Sequence, residues 1–66
     1  MKEKEIALLE AGRHVIYRFF DLGEQMILIK NIDGESIIVM KSALKDIAKI
    51  LLEIYDDYEK MHENNN

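Results

Sequence analysis

Cationic and aromatic residues are interleaved in one short stretch of the chain, Arg13–Phe20, which reads RHVIYRFF. Aromatic rings stack on unpaired nucleobases and cations bind phosphates, so this composition in a strand is typical of single-stranded nucleic-acid binding. The residues that would carry this chemistry are Arg13, Tyr17, Arg18, Phe19 and Lys30. A structural interpretation competes with it and is favoured, because aromatic strand residues in very small domains usually form the core. In that case Val15, Tyr17 and Phe19 are buried, and the neighbouring arginine extends from the sheet edge to solvent.

No catalytic or metal-binding motif is present among the other polar residues. The sequence contains no Cys, and His14 and His62 are too far apart to form a recognisable metal motif. It has no GxGxxG, P-loop or HExxH pattern, and neither Ser36 nor Ser42 has a His nearby in the sequence. We therefore predict no catalytic residue, no metal site and no cofactor, and we predict that the protein is not an enzyme.

The chain is acidic, with 13 acidic residues, 9 basic residues and a net charge of -4. This balance argues against a general nucleic-acid binder, which normally presents a basic surface. The acidity is concentrated after Ser42 and includes a cluster formed by Asp56, Asp57, Glu59 and Glu63. The cluster predicts either a patch for a basic partner or a solvated helix face, and the solvated face is favoured.

The cellular location is predicted from segments that the sequence lacks. No apolar run reaches the roughly 18 residues of a membrane span. The N-terminal segment mixes acidic residues with its lysines and has no sustained apolar core, so it is not predicted to be a signal peptide. Together with the absence of Cys, these features predict a cytoplasmic protein that does not enter the membrane.

Residues 13–41 are predicted to form a three-stranded antiparallel meander, because three segments rich in β-branched residues are separated by turn residues. The predicted strands are His14–Phe20, Gln25–Ile32 and Glu35–Met40. The first turn is predicted over residues 21–24, and Asp33–Gly34 is a strong signal for a second, two-residue turn.

The second turn predicts the register of the last two strands. A two-residue loop pairs Lys30 with Ile37 and Ile29 with Ile38. One face of the sheet then carries Ile27, Ile29, Ile38 and Met40. The other carries Leu28, Ile37 and Val39. Both faces are apolar, so we expect both to be covered.

The segments on either side of the meander complete a single domain over residues 1–66. Residues 1–12 are predicted to form a short helix ended by Gly12, or alternatively an extended arm, since so short a helix is marginal alone. Residues 42–62 are predicted to form a long helix with Ser42 as its N-cap. Residues 63–66 are predicted to be a frayed polar tail.

The long helix carries an apolar stripe that is wider than a lone domain needs. Its apolar residues recur with the alternating three- and four-residue spacing of a helix seam and cover roughly 200° of the circumference, whereas a surface helix needs only somewhat over ~100°. The excess predicts two partners, namely the sheet of the same chain and a second molecule. The predicted dimer interface consists of Leu44, Ile47, Leu51, Ile54, Tyr55, Tyr58 and Met61.

The small size of the chain points in the same direction. A domain of 66 residues buries only about 60% of its unfolded surface and usually gains stability from disulfides, metals or subunit association. Because the chain lacks Cys and a metal motif, subunit association is the remaining source of added stability. The predicted fold is therefore α+β: a three-stranded antiparallel meander followed by one long C-terminal helix, assembled as a homodimer.

Residues 12–60 resemble the positive-cofactor-four family of single-stranded-DNA-binding transcription coactivators, whose core is a strongly bent sheet plus a dimerising helix. The similarity lies in Gly12–Arg13, a strand ending in Arg18–Phe20, a turn at Gly23, a strand reaching Lys30, and the C-terminal helix. The resemblance implies that Arg13, Arg18 and Lys30 stand at the family's basic strand positions. The chain departs from the family in its tight, acidic turn over residues 32–35 and in its lack of a lysine-rich flank.

These observations predict a small, non-enzymatic, homodimeric regulatory or interaction module. Its acidity and excess apolar surface favour a protein partner. The alternative is a single-stranded nucleic-acid-binding transcription regulator that uses the Arg13–Phe20 strand.

Overall fold

The computed structural model describes residues 3–63 and shows an α+β fold. Four antiparallel strands form one sheet in the order β1-β2-β3-β4, and a 3₁₀ turn leads from the last strand into a single helix. The elements are β1 Lys4–Ala11, β2 His14–Gly23, β3 Met26–Asn31, β4 Ser36–Met40, the 3₁₀ turn Lys41–Ala43 and α1 Leu44–Glu63. The predicted class and C-terminal helix are confirmed, whereas the sheet has one strand more than predicted.

The additional strand comes from the N-terminal segment, for which the predicted helix is wrong. Residues Lys4–Ala11 pair antiparallel with β2, from Lys4 opposite Asp21 to Ala11 opposite His14. Gly12 has φ +63° at the first position of the connecting two-residue turn, where a glycine is favoured. An isolated helix of this length cannot recover its nucleation cost, whereas a hairpin with β2 gains a ladder of hydrogen bonds. Residues 1 and 2 of the predicted helix or arm lie outside the described residues.

The turn between β2 and β3 lies further along the chain than predicted. β2 continues to Gly23, and a register shift between Asp21 and Gly23 gives the strand an extra residue there. The turn itself consists of Glu24 and Gln25, whose φ angles are +51° and +66°. Two successive left-handed residues suit the twist of a two-residue hairpin, but residues with a Cβ adopt this conformation at a cost.

The predicted two-residue turn between β3 and β4 is wrong by one residue. Asn31 N–H donates to Glu35 O at 2.9 Å, and Gly34 N–H donates to Asn31 O at 3.2 Å, which closes a three-residue loop. Asn31 Oδ1 also accepts hydrogen bonds from the N–H groups of Asp33 and Glu35, and only Gly34 adopts a positive φ, of +88°. Consequently Ile29 lies opposite Ile37 and not Ile38.

The register divides the sheet into two faces, because residues directly opposite each other share a face and successive residues alternate. What we call the tyrosine face carries Tyr17, Phe19, Ile29, Asn31 and Ile37. What we call the arginine face carries Arg18, Phe20, Leu28, Lys30 and Ile38. The buried residues of the described chain are only Leu22, Ile27 and Leu28, and Ile37 on one face and Ile38 on the other are more than half exposed, so neither face is fully covered.

Helix α1 begins after a 3₁₀ turn that is tied to the sheet at Lys41. The Lys41 N–H donates to Gln25 O at 2.8 Å, and its ammonium lies 2.9 Å from Asp21 Oδ2. Ser42 lies inside this turn and is not a cap. Met40 precedes the turn in an extended conformation and makes no side-chain cap hydrogen bond. The backbone therefore enters the helix through a tethered turn, without the predicted serine cap.

Beyond this tether, α1 leaves the sheet. Between residues 44 and 62, only Ile47 and Glu59 are half-buried, and every other residue is exposed. The expectation that this chain's own sheet covers part of the stripe is therefore wrong. The helix extends through Glu63, one residue beyond its predicted end, and the other residues of the predicted polar tail, 64–66, lie outside the described residues.

Candidate interaction surfaces

An apolar stripe along α1 is exposed to solvent. Of the seven predicted interface residues, only Ile47 is half-buried. The exposure of the others ranges from 39% at Leu44 to 67% at Met61. Leu51, Ile54, Tyr55 and Tyr58 are each more than half exposed. The predicted residues thus lie along one helix face that the rest of the chain leaves uncovered.

Aromatic side chains form a cluster at the C-terminal end of this stripe. The Tyr55 and Tyr58 ring centroids are 6.2 Å apart, and those of Tyr58 and His62 are 4.0 Å apart. His62 Nδ1 lies 3.0 Å from Tyr58 O, which places the imidazole against the helix backbone. Sequence reasoning missed His62 as a member of the stripe, although its four-residue spacing from Tyr58 was the available signal.

Glu59 gives this cluster a polar border. The Tyr55 hydroxyl donates a hydrogen bond to Glu59 Oε1. This hydrogen bond to the carboxylate, together with its negative charge, raises the pKa of the Tyr55 phenol above the usual 10.0. Tyr55 therefore stays protonated and keeps both an apolar ring and a hydrogen-bonding tip, the combination that makes Tyr frequent at interfaces.

Charge is unevenly distributed along α1, because the segment before Glu53 carries a net charge of +1 and the later turns are acidic. Lys45 and Lys49 lie in its first two turns, accompanied by Asp46. The later turns are acidic and carry Glu53, Asp56, Asp57 and Glu59, with Lys60 among them. Two copies of this helix in antiparallel orientation would therefore bring the basic end of each close to the acidic end of the other.

The predicted nucleic-acid-binding residues are not on one surface. Tyr17 and Phe19 lie on the tyrosine face, whereas Arg18 and Lys30 lie directly opposite each other on the arginine face. Arg13 lies in the exposed turn between β1 and β2. The strand alternation therefore separates the proposed stacking rings from the proposed phosphate-binding cations, because neighbouring residues point to opposite faces.

The cations on the arginine face already have partners within the chain. The Arg18 guanidinium forms a 2.7 Å ion pair with Glu5 Oε1. Lys30 Nζ lies 5.2 Å from the centroid of the Phe20 ring, within cation–π range. Phe20 is thus the aromatic residue that accompanies the cations, and sequence reasoning missed it. Its two-residue spacing from Arg18 could have revealed it, since such residues share a strand face.

A shallow depression lies on the tyrosine face near the β3–β4 loop. Ile29 and Ile37 form its apolar floor, Tyr17 stands at one side, and Asn31 and Glu35 contribute polar atoms. It is open to solvent, and its apolar floor with a polar rim suits contact with a side chain of a macromolecule more than enclosure of a small molecule.

Within residues 3–63, no group of three His, Cys, Asp or Glu side chains is arranged to bind a metal ion. No helix of that part of the chain combines the length and apolarity needed to cross a membrane. No family model, curated protein or solved structure matches the chain.

Proposed function

We propose that the chain is a non-enzymatic, homodimeric interaction module of the cytoplasm that binds a protein partner and acts in regulation. The observation that supports this most is the exposed apolar stripe of α1. It carries Leu51, Ile54 and Met61 at 58%, 59% and 67% exposure.

The energetic argument is that the isolated chain has too small a core. Burying one large apolar side chain contributes roughly 1.5–3 kcal/mol, and a folded domain needs a net stability of about 5 kcal/mol or more. Leu22, Ile27 and Leu28 are the buried residues of the described chain. Pairing two stripes would bury several more large side chains in each copy. Folding and dimerisation are therefore proposed to be coupled.

The charge distribution favours an antiparallel arrangement of the two helices. In that arrangement Lys45 and Lys49 of each copy approach the acidic residues from Glu53 to Glu59 of the other. A parallel arrangement would place like charges together along the whole length, which disfavours association. The antiparallel arrangement also brings opposite ends of the helix dipoles together.

A protein partner is supported by the surfaces that remain after helix pairing. The tyrosine face presents Tyr17 and Ile37 at 42% and 60% exposure beside an apolar depression. Exposed apolar surface of this kind, bordered by a Tyr and by polar residues, is typical of protein interfaces. The net charge of -4 makes a nucleic-acid backbone a poorer partner.

The dimer is tested by replacing Leu51→Glu and, as a control, Lys60→Gln. Both changes make the net charge more negative by one, but Lys60 lies on the polar side of the helix within its acidic end, where the antiparallel arrangement does not use its charge. We expect Leu51→Glu to give a monomer or an unfolded chain in sedimentation and circular dichroism, and Lys60→Gln to remain a folded dimer. The wild-type melting temperature should rise with protein concentration. A folded monomer whose melting temperature is independent of concentration would contradict the proposal.

The partner surface is tested in pull-downs with the same folded control. A specific protein should be recovered with Lys60→Gln and with the wild type, and lost with Tyr17→Glu. Recovery that is insensitive to Tyr17→Glu would exclude the tyrosine face as the binding surface.

A second candidate function is single-stranded nucleic-acid binding on the arginine face. Arg18 lies directly opposite Lys30, with the Phe20 ring beside them. Like charges directly opposite each other destabilise a sheet, and a bound phosphate would relieve that repulsion after displacing Glu5 from Arg18. The resemblance to the positive-cofactor-four family favours the same residues. This candidate therefore involves Arg18, Lys30 and Phe20, without Tyr17 and Phe19.

Oligonucleotide titration at several salt concentrations tests this candidate. Affinity should fall steeply as salt rises, and Lys30→Gln should reduce the slope of log K against log salt by about one. Asp33→Asn, which makes the same size of charge change in the nearby turn, should leave the slope unchanged. Absence of binding at low salt would exclude this function.

A further inference from the structure

Strand β4 is an unprotected sheet edge. It is the last strand in the order β1-β2-β3-β4, and no register shift interrupts its pairing with β3. Its sequence, SIIVM, contains no charged residue, and Ile37, Ile38 and Met40 are 60%, 56% and 61% exposed. Natural sheets usually protect such edges with charges, bulges, Pro or a covering element.

The hydrogen bonds at the two ends of β4 show which of its backbone groups remain free. Glu35 O accepts from Asn31 N–H, and Lys41 N–H donates to Gln25 O, so both residues bond inward to the β3 side. Along an antiparallel strand, residues whose N–H and C=O groups bond to the neighbouring strand alternate with residues whose groups point away from it. Ser36, Ile38 and Met40 therefore direct their N–H and C=O groups away from the sheet, where a further strand could pair with them.

We propose that β4 pairs antiparallel with β4 of a second copy of this chain, about a two-fold axis at Ile38. In this register Ile38 lies opposite Ile38 of the second copy, and Ser36 lies opposite Met40. All three outward-pointing residues of each strand then gain backbone partners. A shift by two residues in either direction leaves one of them unpaired, so the centred register forms the most hydrogen bonds.

The flanking charges match the same register. Glu35 lies immediately before β4 and Lys41 immediately after it, so the centred pairing places each Glu35 opposite Lys41 of the second copy. On the same face, Ile37 meets Val39. Glu35 accepts a hydrogen bond from Asn31 Nδ2 at 2.9 Å, and Lys41 pairs with Asp21 at 2.9 Å. The cross-copy pair would therefore join two existing polar contacts at the ends of the shared ladder.

This pairing makes one continuous eight-stranded sheet from two copies. It uses a different surface from the α1 stripe, so it does not rest on the proposed function. The strand and the helix are separated only by the turn Lys41–Ala43.

The test uses single cysteines, which are informative because the chain has none. Ile38→Cys places two sulfurs across the axis at an expected Cα–Cα separation of about 5.5 Å, within the range of a disulfide. Mild oxidation of the full chain should convert most of this variant to a covalent dimer. Leu8→Cys, at an exposed position of β1 on the opposite edge, is the control and should remain reduced. Circular dichroism verifies that both variants are folded.

A second pair of variants tests the register. Ser36→Cys alone should not cross-link, because its two copies are separated by about four residues, or roughly 13 Å along the strand. A mixture of Ser36→Cys and Met40→Cys should give a disulfide-linked heterodimer. Equal cross-linking of Ile38→Cys and Leu8→Cys, or none at Ile38, would overturn β4 pairing. If the chain nevertheless sediments as a dimer that Leu51→Glu disrupts, the helix-based dimer stands without it.

Discussion

The two edges of the sheet, β1 and β4, are similarly rich in apolar residues but differ in how they are protected. β1 exposes Ile6, Leu8 and Leu9 at 51%, 43% and 49%, values not far below those of β4. It also carries charged residues, and two register shifts interrupt its pairing with β2, one adding a residue to β1 between Glu5 and Ala7 and the other adding Ile16 to β2 opposite Leu9 and Glu10. Hydrophobicity alone therefore does not identify a pairing edge.

The protection of β1 is both geometric and electrostatic. Bulges twist a strand and interrupt the row of free backbone groups that another strand would need. β1 also contains the charged residues Lys4, Glu5 and Glu10, which disfavour pairing with a further strand. β4 has neither device. The comparison indicates that an edge becomes available for pairing when it is regular and uncharged, whatever its apolar content.

The largest expected effect comes from placing a charge on each edge in turn. Ile38→Lys would set two lysines directly opposite each other across the proposed axis, and such juxtaposition costs several kcal/mol. We expect the dimer dissociation constant from sedimentation to rise by about 100-fold or more. Ile6→Lys on β1, at an exposed position that the register shift leaves without a partner in β2, should change it less than about threefold. Equal effects of the two substitutions would remove the distinction between the edges.

A smaller effect is expected from the loop that sets the position of β4. Asn31→Ala removes the acceptor for the Asp33 and Glu35 N–H groups and the donor to Glu35. We expect a loss of about 1–2 kcal/mol in the free energy of unfolding in urea. Asp33→Ala, in the same loop, should cost under about 0.5 kcal/mol. Equal losses of unfolding free energy in the two variants would show that the Asn31 side chain does not stabilise the position of β4.

A gain in stability is expected at the turn between β2 and β3, which lies on neither edge. Replacing Glu24→Asn together with Gln25→Gly suits two left-handed residues and should stabilise the fold by about 0.5–1 kcal/mol. Gly12→Ala, at φ +63° in the other two-residue turn, should destabilise it by about 1 kcal/mol. Thermal melting measures both. If the Glu24→Asn, Gln25→Gly changes also alter disulfide formation by Ile38→Cys, then pairing at the β4 edge also depends on the β2–β3 turn.

The smallest effect is expected from acid titration of Asp21, which contacts the end of β4 through Lys41. The Gly23 N–H and the Lys41 ammonium hold the pKa of this carboxyl below 3.8. Because the folded pKa is lowered, its stabilisation is present above the unfolded pKa and is lost as pH falls through the folded pKa. The melting temperature of the wild type should therefore fall further than that of Asp21→Asn between about pH 5 and pH 2. Parallel curves for the two proteins would contradict this assignment.

The sequence predicted the local elements well where one periodicity dominates. The long helix was located within a few residues, because its apolar spacing continues without Pro or Gly from Ala43 onward. The β-branched and aromatic runs identified β2, β3 and β4. Residues 3–11 have good helix propensity, so the sequence predicts a helix there, and only pairing with β2 makes Lys4–Ala11 a strand. Propensity is a weak preference that tertiary pairing readily overrides.

For the candidate surfaces, the sequence predicts which residues form the α1 stripe but not how the residues of Arg13–Phe20 are distributed between the two faces. The residues of the α1 stripe follow directly from spacing, but their exposure depends on where the helix leaves the sheet. The cations and aromatics of Arg13–Phe20 were grouped by closeness in sequence, and strand alternation then separated Tyr17 from Arg18. Pairing of Arg18 with Glu5 joins residues 13 positions apart, a contact that no local pattern reports.

The amino-acid sequence by itself determined the α+β class, the amphipathic helix and the excess of apolar surface, because these depend on residue type and local spacing. Only the tertiary structure decided which apolar surface stays uncovered. A single hydrogen-bonding side chain, Asn31, selects the loop that sets the register of β4, and the Lys41 tether marks where α1 departs from the sheet. Register and helix direction arise from contacts between distant residues, so a one-residue change in either rearranges a whole face without changing composition or periodicity.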